Sequence, residues 1–383
     1  MNMIEAIINK INRNIVTRQD INSVASVLKK GFLSRPSGGP EVKKFQLLMS
    51  KMLSQKYAFA VTSGTAALHL AISSLELKSG DEVIVPALAN IADLSVVLQE
   101  GAKPVFVDIN SESFNIDPAD IERKITRKTR AIVAVHMYGQ PANIDKINQI
   151  AKKNRLILIE DCAQAAGARY KGKYTGSFGD ISCFSFYQTK HIIIGEGGMV
   201  LTKNSNAAKI IDSIANNGIK KDNIEAYDYD RVGYNYQMSE LQAALGSAQL
   251  KKLDKVNRIR QENAQIYKDQ FRDTDLFFQK TENHSESVYF YLTGLLPEDL
   301  TSRRDVFIGE IQKRGVPIKN LYPLSLPEVE LMKNKKKNAC PVAKTITKRL
   351  FNLYVNPGLS KKDIINFSDV IKGVYYKLKN ENT

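Results

Sequence analysis

The stretch RAIVAVHMYGQPANIDKINQIAKKNRLILIED, residues 130–161, decides the fold predicted for this chain. It predicts a strand over Arg130–Gly139 with a loop after it, a helix over Ile144–Lys153 and a second strand over Arg155–Asp161. Both strands are apolar throughout, which is typical of strands that are buried on both faces of a parallel sheet. A helix between two parallel strands makes a right-handed crossover.

The same alternation continues on both sides of this unit. Breaker residues at Gly31–Pro40 predict a loop. The other predicted helices are 20–28, 42–53, 66–75, 91–100 and 118–124, and the other predicted strands are 57–61, 82–86, 103–109, 181–186 and 198–202. The pattern therefore predicts an α/β fold with a mainly parallel sheet that is covered by helices.

The last third of the chain has a different pattern. One long helical stretch is predicted from Met238 to about Gln270, followed by a strand at Val288–Leu295 and a helix at Arg303–Arg314. A chain of 383 residues exceeds one typical core. We predict a large domain over residues 1–250 and a smaller C-terminal α/β domain over residues 251–383, with the long helix as a bridge.

Composition restricts the function classes. The net charge is +15, but the basic residues are dispersed, and the run from Lys333 to Lys337 is expected to be an exposed loop. No nucleic-acid-binding motif is present. The 3 cysteines form no CxxC pair, which indicates free thiols, a reducing compartment and no metal site. No signal peptide or membrane-spanning run is recognised, so the expected location is the cytoplasm.

Short polar motifs follow the predicted strands. They are TSGT at Thr62, PALAN at Pro86, HMYGQ at His136, EDCAQ at Glu160 and SFYQTK at Ser185. In open parallel sheets, ligands bind beyond the carboxyl ends of the strands. The motifs are therefore expected to form one site.

Three of these motifs carry chemistry. Lys190 follows an apolar strand, and an amine in that place can form a Schiff base with an aldehyde cofactor, although an isolated lysine is more often a solvated surface residue. Asp161 can pair with a protonated pyridine nitrogen, although alone it fits a helix N-cap better, and Gln164 can reach a ring hydroxyl. The amides and hydroxyl at Gly64 and Thr65 can hold a phosphate, although they also fit an ordinary helix cap. Together they indicate a phosphate-bearing pyridine aldehyde with a lysine partner.

At this point the chain resembles the DegT/DnrJ/EryC1/StrS family of aminotransferases, from about Gly31 to Asn356. The motifs that carry the resemblance are SGTAAL at Ser63, VP at Val85, VHMYGQP at Val135, EDCAQAAGA at Glu160, FSFYQTK at Phe184, GEGG at Gly195 and GYNYQMSELQAALG at Gly233. The resemblance implies the type I fold of aspartate aminotransferase and pyridoxal 5′-phosphate as the cofactor.

The resemblance also implies roles for single residues. Lys190 would bind the cofactor covalently and act as the catalytic base, Asp161 would pair with the ring nitrogen, and Gln164 would contact the ring hydroxyl. The phosphate would be held by Gly64, Thr65 and Ser185. Asn235 resembles a residue that reaches the phosphate of the neighbouring subunit, which implies a homodimer with shared sites.

Three positions depart from the family pattern. Asn90 stands where an aromatic residue often stacks on the cofactor ring, Gln237 replaces an arginine, and LYPLSL at Leu321 lacks a histidine. One branch of the family has histidine in place of the catalytic lysine, but Lys190 is kept here, and His191 after it is expected to be structural. His69 and His136 are expected to pack rather than to act as acids or bases, and Cys162 and Cys183 to be buried.

The expected function is transfer of an amino group from L-glutamate to a nucleotide-linked 3- or 4-keto-deoxysugar, as in polysaccharide biosynthesis. Two alternatives stay open: an aminotransferase for a non-nucleotide cyclic ketone, and a non-catalytic regulator that binds pyridoxal phosphate. A basic nucleic-acid-binding protein is a third, which no motif supports. The expected partners are small molecules and a second copy of the chain, without nucleic acid or membrane.

Overall fold

The computed structural model describes residues 15–35, 38–220, 228–333 and 339–381. Most of the basic run that begins at Lys333 falls outside these ranges, so its predicted loop is not addressed. No helix in the described part of the chain is both long and apolar enough to cross a lipid bilayer.

A seven-stranded sheet forms the centre of the first part of the chain, with the order β1-β9-β8-β5-β4-β2-β3. The strands of this part are β1 (Tyr57–Val61), β2 (Glu82–Pro86), β3 (Lys103–Val107), β4 (Thr129–Val135), β5 (Ile157–Asp161), β6 (Arg169–Tyr170), β7 (Lys173–Tyr174), β8 (Ile181–Ser185) and β9 (Gly198–Thr202). Strands β8, β5, β4, β2 and β3 pair in parallel, as predicted.

Strand β9 is the exception in this sheet. It pairs antiparallel with both β8 and β1, in registers that place Gly198 opposite Ser185 and Val61. Residues 186–197, between β8 and β9, form turns and no helix, whereas parallel neighbours are usually joined by a crossover that contains a helix. The mainly parallel α/β sheet that the sequence predicts is therefore confirmed, with one reversed strand.

Helices cover both faces of this sheet. They are α1 (Arg18–Lys30), α2 (Pro40–Leu53), α3 (Gly64–Ser73), α4 (Ile91–Gln99), α5 (Pro118–Lys124), α6 (Ile144–Lys153), α7 (Ser205–Ala215) and α8 (Glu240–Leu250). Helix α6 shows why these segments are helical: Ile144, Ile147 and Ile150 recur at helical spacing and are buried against the sheet. The α3 and α4 side chains fill the opposite face.

The C-terminal part has its own antiparallel sheet, in the order β10-β12-β14-β13. Its elements are α9 (Leu253–Gln270), β10 (Phe277–Phe278), β11 (Ser285–Glu286), β12 (Leu292–Leu295), α10 (Arg304–Lys313), β13 (Ile318–Lys319), α11 (Pro341–Arg349), β14 (Leu350–Leu353) and α12 (Lys361–Asn380). Strand β11 belongs elsewhere, because it pairs with β6 in a three-stranded sheet. A second apolar core, between Ala264 and Leu378, lies between this four-stranded sheet and its helices.

Two predictions for this part are wrong in detail. The helical stretch predicted from Met238 to Gln270 is two helices, which break at Lys251 and Lys252 although neither glycine nor proline marks the place. The break redirects the chain: α8 packs against α1 and α2, whereas α9 packs against α12. The Lys252 ammonium group also binds the buried Asp20 carboxylate at the start of α1.

The strand predicted at Val288–Leu295 is formed only from Leu292 onward. Tyr289 has a left-handed backbone with φ 47°, which an extended strand does not allow. The segment before β12 instead crosses to the first part of the chain, where Phe290 N donates to Tyr138 O at 2.8 Å.

Helix α9 lies between the two apolar cores. Leu253 at its start belongs to a cluster with β8 and β9 residues, and Ala264 and Tyr267 near its end belong to the C-terminal core. The helix thus contacts both parts. Division of the chain into domains at residue 250 stays a prediction.

Candidate functional site

A cavity of about 240 Å³ opens at the carboxyl ends of the central strands. Seven of the eight predicted cofactor-site residues line it: Gly64, Thr65, Asn90, Asp161, Gln164, Ser185 and Lys190. They come from segments that are distant in sequence but end at the same edge of the sheet. The geometry therefore brings the strand-end motifs together as expected.

Lys190 lies in the turn that follows β8. Its backbone N–H donates to Tyr187 O at 2.9 Å, and its Nζ lies 4.5 Å from the centre of the Phe290 ring. Burial disfavours the ammonium form and lowers the pKa of Lys190 to about 8, against the opposing pull of the Asp161 and Asp93 carboxyl groups. An amine with this pKa is partly unprotonated near neutral pH, as a nucleophile or base requires.

Asp161 is the last residue of β5 and is buried. Its Oδ1 accepts a hydrogen bond from Ala163 N at 2.8 Å, and the charge of Lys190 also favours its ionised form. Burial nevertheless dominates and raises the pKa of Asp161. A second carboxyl group, that of Asp93 on α4, lies within hydrogen-bonding reach of it.

Gln164 is fixed at both ends of its amide. Its Oε1 accepts from Tyr138 N at 2.9 Å, and its Nε2 donates to the Tyr322 hydroxyl at 2.9 Å. The Asn90 side chain caps α4, where its Oδ1 accepts from Ala92 N at 2.9 Å, and it lies close enough to the Tyr322 hydroxyl to oppose the rise that burial causes in the pKa of Tyr322. Asn90 therefore has a structural role at the start of α4 in addition to its place in the cavity lining.

Ser63, Gly64 and Ser185 form the other end of the cavity. Ser63 caps α3 by accepting from Ala66 N at 3.0 Å, which leaves the Gly64 and Thr65 amides as the first two of the helix, without carbonyl partners in it. A side chain at position 64 would place its Cβ 2.6 Å from Ser185 Cβ. Glycine therefore allows α3 to begin close to β8. There the backbone amides of Gly64 and Thr65 and the hydroxyl groups of Thr65 and Ser185 can surround an anion.

The eighth predicted residue lies elsewhere. Asn235 is exposed, and its backbone bridges to Asn216 rather than lining the cavity. Gln237, the arginine replacement, bridges to Val61 and borders a separate cavity near α2. Neither residue contributes to the cavity of its own chain as described.

Several residues that line the cavity or contact its lining were not assigned from sequence. Tyr187 and Glu196 line the cavity beside Lys190 and could have been found, because both lie within the quoted motifs. Phe290 and Tyr322 come from segments more than 90 residues away in sequence, so no local pattern signals them. Asp93 is the third residue of α4, where acidic residues are common in helices, so its sequence position does not single it out.

The histidines and cysteines have structural partners. Burial lowers the pKa of His191 well below its usual value, and its Nε2 contacts Val288 O at 3.3 Å. His69 lies between Glu100 and Tyr236, at 2.9 Å and 3.0 Å. Cys162, Cys183 and Cys340 are buried and form no disulfide with one another. These observations confirm the expected burial of Cys162 and Cys183, whereas the structural role expected for His191 stays a prediction.

The donor set fits pyridoxal phosphate: a buried amine of lowered pKa, a carboxylate, an amide and a helix-start anion cradle that a Cβ at Gly64 would obstruct. This combination defines a pyridoxal-phosphate-dependent enzyme of the type I fold. Residues 14–372 match the model of the DegT/DnrJ/EryC1/StrS aminotransferase family. The chain belongs to this family and is a pyridoxal-phosphate-dependent aminotransferase.

Similar proteins agree with this assignment. The chain is 36% identical over 344 residues to the GDP-perosamine synthase of Vibrio cholerae, covering 88% of this chain and 92% of the relative. It is 35% identical over 311 residues to a UDP-N-acetyl-3-dehydro-alpha-D-glucosamine 3-aminotransferase of Acidithiobacillus ferrooxidans, covering 81% and 82%. A putative sugar aminotransferase of Streptococcus pneumoniae, solved in its PLP form, superposes with a TM-score of 0.88 at 26% identity, covering 95% and 97%.

Proposed function

We propose that this aminotransferase moves an amino group from L-glutamate to a nucleotide-linked 3- or 4-keto-deoxysugar, with pyridoxal phosphate attached to Lys190. The observation that carries the proposal is the convergence of Lys190, Asp161 and Gln164 with the helix-start cradle in one cavity of about 240 Å³. The pKa of Lys190, lowered to about 8, supports its attachment to the cofactor and its use as a base.

Each residue has a proposed task. When bound, pyridoxal phosphate supplies an aldehyde that condenses with amines and a ring that withdraws electrons. Asp161 would hold the proton on the ring nitrogen, and Gln164 would contact the ring hydroxyl. The phosphate would be bound by Gly64, Thr65 and Ser185. Asn90 and Tyr322 would border the ring.

Lys190 would also move the proton. Released from the cofactor, its Nζ is unprotonated in part near neutral pH, so it can take a proton from the α-carbon of the amino donor. The same amine would then donate this proton to the cofactor carbon that takes up the amino group. With the keto acceptor the order would be reversed. Nζ would take a proton from the cofactor carbon and donate a proton to the carbon of the acceptor that receives the amino group.

The names of two relatives support the proposed substrate class. Two proteins at 35–36% identity are named for GDP- and UDP-linked sugars, which supports a nucleotide-linked sugar here without selecting the nucleotide. The net charge of +15 is compatible with a diphosphate substrate.

We also propose a homodimer. Asn235 is exposed, does not line the cavity of its own chain and lies beside the exposed Tyr234 and Val232. Apolar exposure of this kind is typical of a surface that another chain covers. Asn235 would then reach the phosphate in a second copy. Asn235→Ala should weaken cofactor binding, and mixing it with Lys190→Ala should restore one competent site in each mixed dimer.

The test of the function is an absorbance spectrum of the purified protein before and after L-glutamate. The visible band of the bound aldehyde cofactor should disappear on adding the donor and return with the correct keto-sugar nucleotide. A band that glutamate does not change would overturn the donor assignment. A band that neither an amino donor nor a keto acceptor changes would favour the non-catalytic regulator, and no band after adding pyridoxal phosphate would overturn the cofactor assignment.

A further inference from the structure

The third residue of a helix is a common place for an acidic side chain, because there it can close a hydrogen-bonded cap. Asp20 and Asp363 do this in α1 and α12, where their carboxylates accept from Thr17 N and Ser360 N at 2.7 Å and 2.9 Å. Asp93 occupies the same position of α4. Its behaviour is different from that of these two residues.

Asp93 is completely buried, and neither of its oxygens accepts a hydrogen bond of normal geometry from any donor among the described residues. The cap of α4 is already closed by the Asn90 side chain. The backbone N–H groups of Asn90 and Asp93 face the carboxyl group and favour its ionised form, but only weakly. The helix cap therefore does not explain this carboxyl group.

The polar partner of Asp93 is Asp161. The two carboxyl groups lie within hydrogen-bonding reach of one another, and both are buried. Two ionised carboxylates at that separation would repel strongly in a medium of low polarity. One proton between them turns the repulsion into a hydrogen bond. Burial, followed by the charge of Asp161, accordingly raises the pKa of Asp93 well above its usual value.

We propose that Asp93 is a positioning residue of the cofactor site: it is held as an uncharged carboxylic acid that donates a hydrogen bond to Asp161, so that the pair carries one negative charge. The orientation of Asp161 toward the cavity then depends on Asp93. The part of the proposal in which Asp161 pairs with the ring nitrogen of pyridoxal phosphate rests on the proposed function. The proton shared by Asp93 and Asp161 does not.

Other ionisable groups face the pair, and their charges are compatible with a single proton on it. Lys190 lies on the cavity side and favours one negative charge on the pair. The remaining neighbours are His136 beside Asp161, and Cys183 and Tyr322, whose pKa values are raised by burial and by both carboxyl groups. Lys190 is thus the cation that faces both carboxyl groups in the described site.

The test compares unfolding of the cofactor-free protein with that of Asp93→Asn between pH 5 and pH 8. Asparagine keeps the shape and can still donate to Asp161, but it carries no titratable proton. Unfolding of the wild type must release the proton, since a solvated aspartate has a pKa near 3.9. Its unfolding constant, divided by that of Asp93→Asn, should rise up to about tenfold per pH unit until the folded pKa is reached.

Asp120→Asn is the matched control. Asp120 is also buried at the third position of its helix, but it accepts from Asp108 N at 2.7 Å and binds Lys124 Nζ at 2.7 Å. These partners outweigh its burial and lower the pKa of Asp120. The corresponding ratio should stay flat from pH 5 to pH 8 and change only below about pH 4. A flat ratio for Asp93→Asn as well would overturn the proposal.

Cofactor binding gives a second readout. Asp93→Asn should bind pyridoxal phosphate with an affinity within about threefold of wild type, because the donor is retained. Asp93→Ala, which loses it, should bind about tenfold more weakly, as expected for a hydrogen bond to a charged group. Equal losses in both variants would show that the donor is not what matters. The unfolding measurement contains neither cofactor nor turnover, so it stands even if the proposed function fails.

Discussion

Glu160 and Asp161 are neighbours at the end of β5, yet they belong to opposite faces of the central sheet and behave in opposite ways. Glu160 accepts from three backbone N–H groups at 2.6–2.8 Å and lies 3.0 Å from His136 Nε2. These contacts outweigh burial and lower the pKa of Glu160, whereas the pKa of Asp161 is raised. A satisfied buried charge is structural, and an incompletely satisfied one beside a cavity is available for chemistry.

The His136 side of this comparison also accounts for the cluster of His136, Glu160 and Cys162, whose ligand atoms lie within 4.8 Å of one another. Ala142 N donates to His136 Nδ1 at 3.0 Å, so Nε2 carries the proton that faces Glu160. Both ring nitrogens are therefore used in hydrogen bonds. The cluster is explained by folding, and we derive no metal function from it.

The largest expected effect is on the Asp161 face. Lys190→Ala should abolish transamination, because it removes both the attachment point and the base. It should leave the fold intact, because the lysine side chain forms no hydrogen bond with the sheet residues that the structure describes. Steady-state assays with L-glutamate and thermal unfolding of the same sample check both parts. Turnover equal to wild type would contradict the site assignment.

Replacing each of the two neighbouring carboxyl groups by its amide distinguishes the two faces of the sheet. Glu160→Gln should destabilise the protein by about 3 kcal/mol, since an amide cannot accept all four donors that now face the carboxylate. Asp161→Asn should change stability by no more than about 1 kcal/mol but lower turnover by about a hundredfold or more, as loss of a charge at the reacting group would. Denaturant unfolding and initial rates measure the two effects.

The comparison fails if Asp161→Asn is the less stable variant. It is sharpened by pH: because the folded pKa of Glu160 is lowered, its stabilising contribution is present at neutral pH and is lost as pH falls through that value. The stability deficit of Glu160→Gln should therefore shrink in acid.

Much of the first part of the fold could be predicted from sequence. The bounds of Tyr57–Val61, Glu82–Pro86 and Ile144–Lys153 are those expected, because breakers or caps flank apolar runs of clear period. The break at Lys251 and the shortened strand at Leu292 could not be predicted. Their causes are contacts with α1 and with Tyr138, which are tertiary.

The site follows the same division. Residues within contiguous strand-end motifs, such as Lys190 and Gln164, could be assigned because the parallel sheet brings strand ends together. Tyr322 could not, since it is 158 residues from the Gln164 amide that it contacts. Asp93 stands at a position that is common for acidic residues in helix caps. Only the structure shows that neither of its carboxyl oxygens has a well-formed hydrogen bond with the described residues.

A pH profile tests the electrostatics of the Asp161 face. The pKa of Lys190 is lowered to about 8, so its reactive free amine should increase about tenfold per pH unit below 8 and level off above it. The rate at which cofactor-free enzyme acquires the visible band with pyridoxal phosphate measures this fraction. A rate that climbs up to pH 10 would instead indicate an ordinary lysine.

Asp161→Asn sharpens this profile. The carboxylate of Asp161 favours the charged form of Lys190 and opposes the effect of burial. Its removal should shift the plateau to lower pH, whereas Glu160→Gln, on the other face, should leave the plateau where it is. A shift in both variants would mean that the two faces are not electrically separate.

The smallest expected effect is that of Tyr322→Phe. The Tyr322 hydroxyl accepts from Gln164 Nε2 at 2.9 Å, so its loss leaves that amide without this partner at the edge of the cavity. Cofactor affinity should fall by about two- to tenfold, the range for one hydrogen bond, as followed by absorbance titration. Tyr354→Phe is the control, because Tyr354 lies against Tyr291 and not against Gln164. If both variants weakened cofactor binding alike, the effect would come from packing of the C-terminal part of the chain. The hydrogen bond from Gln164 to Tyr322 would then contribute nothing specific to the Asp161 face.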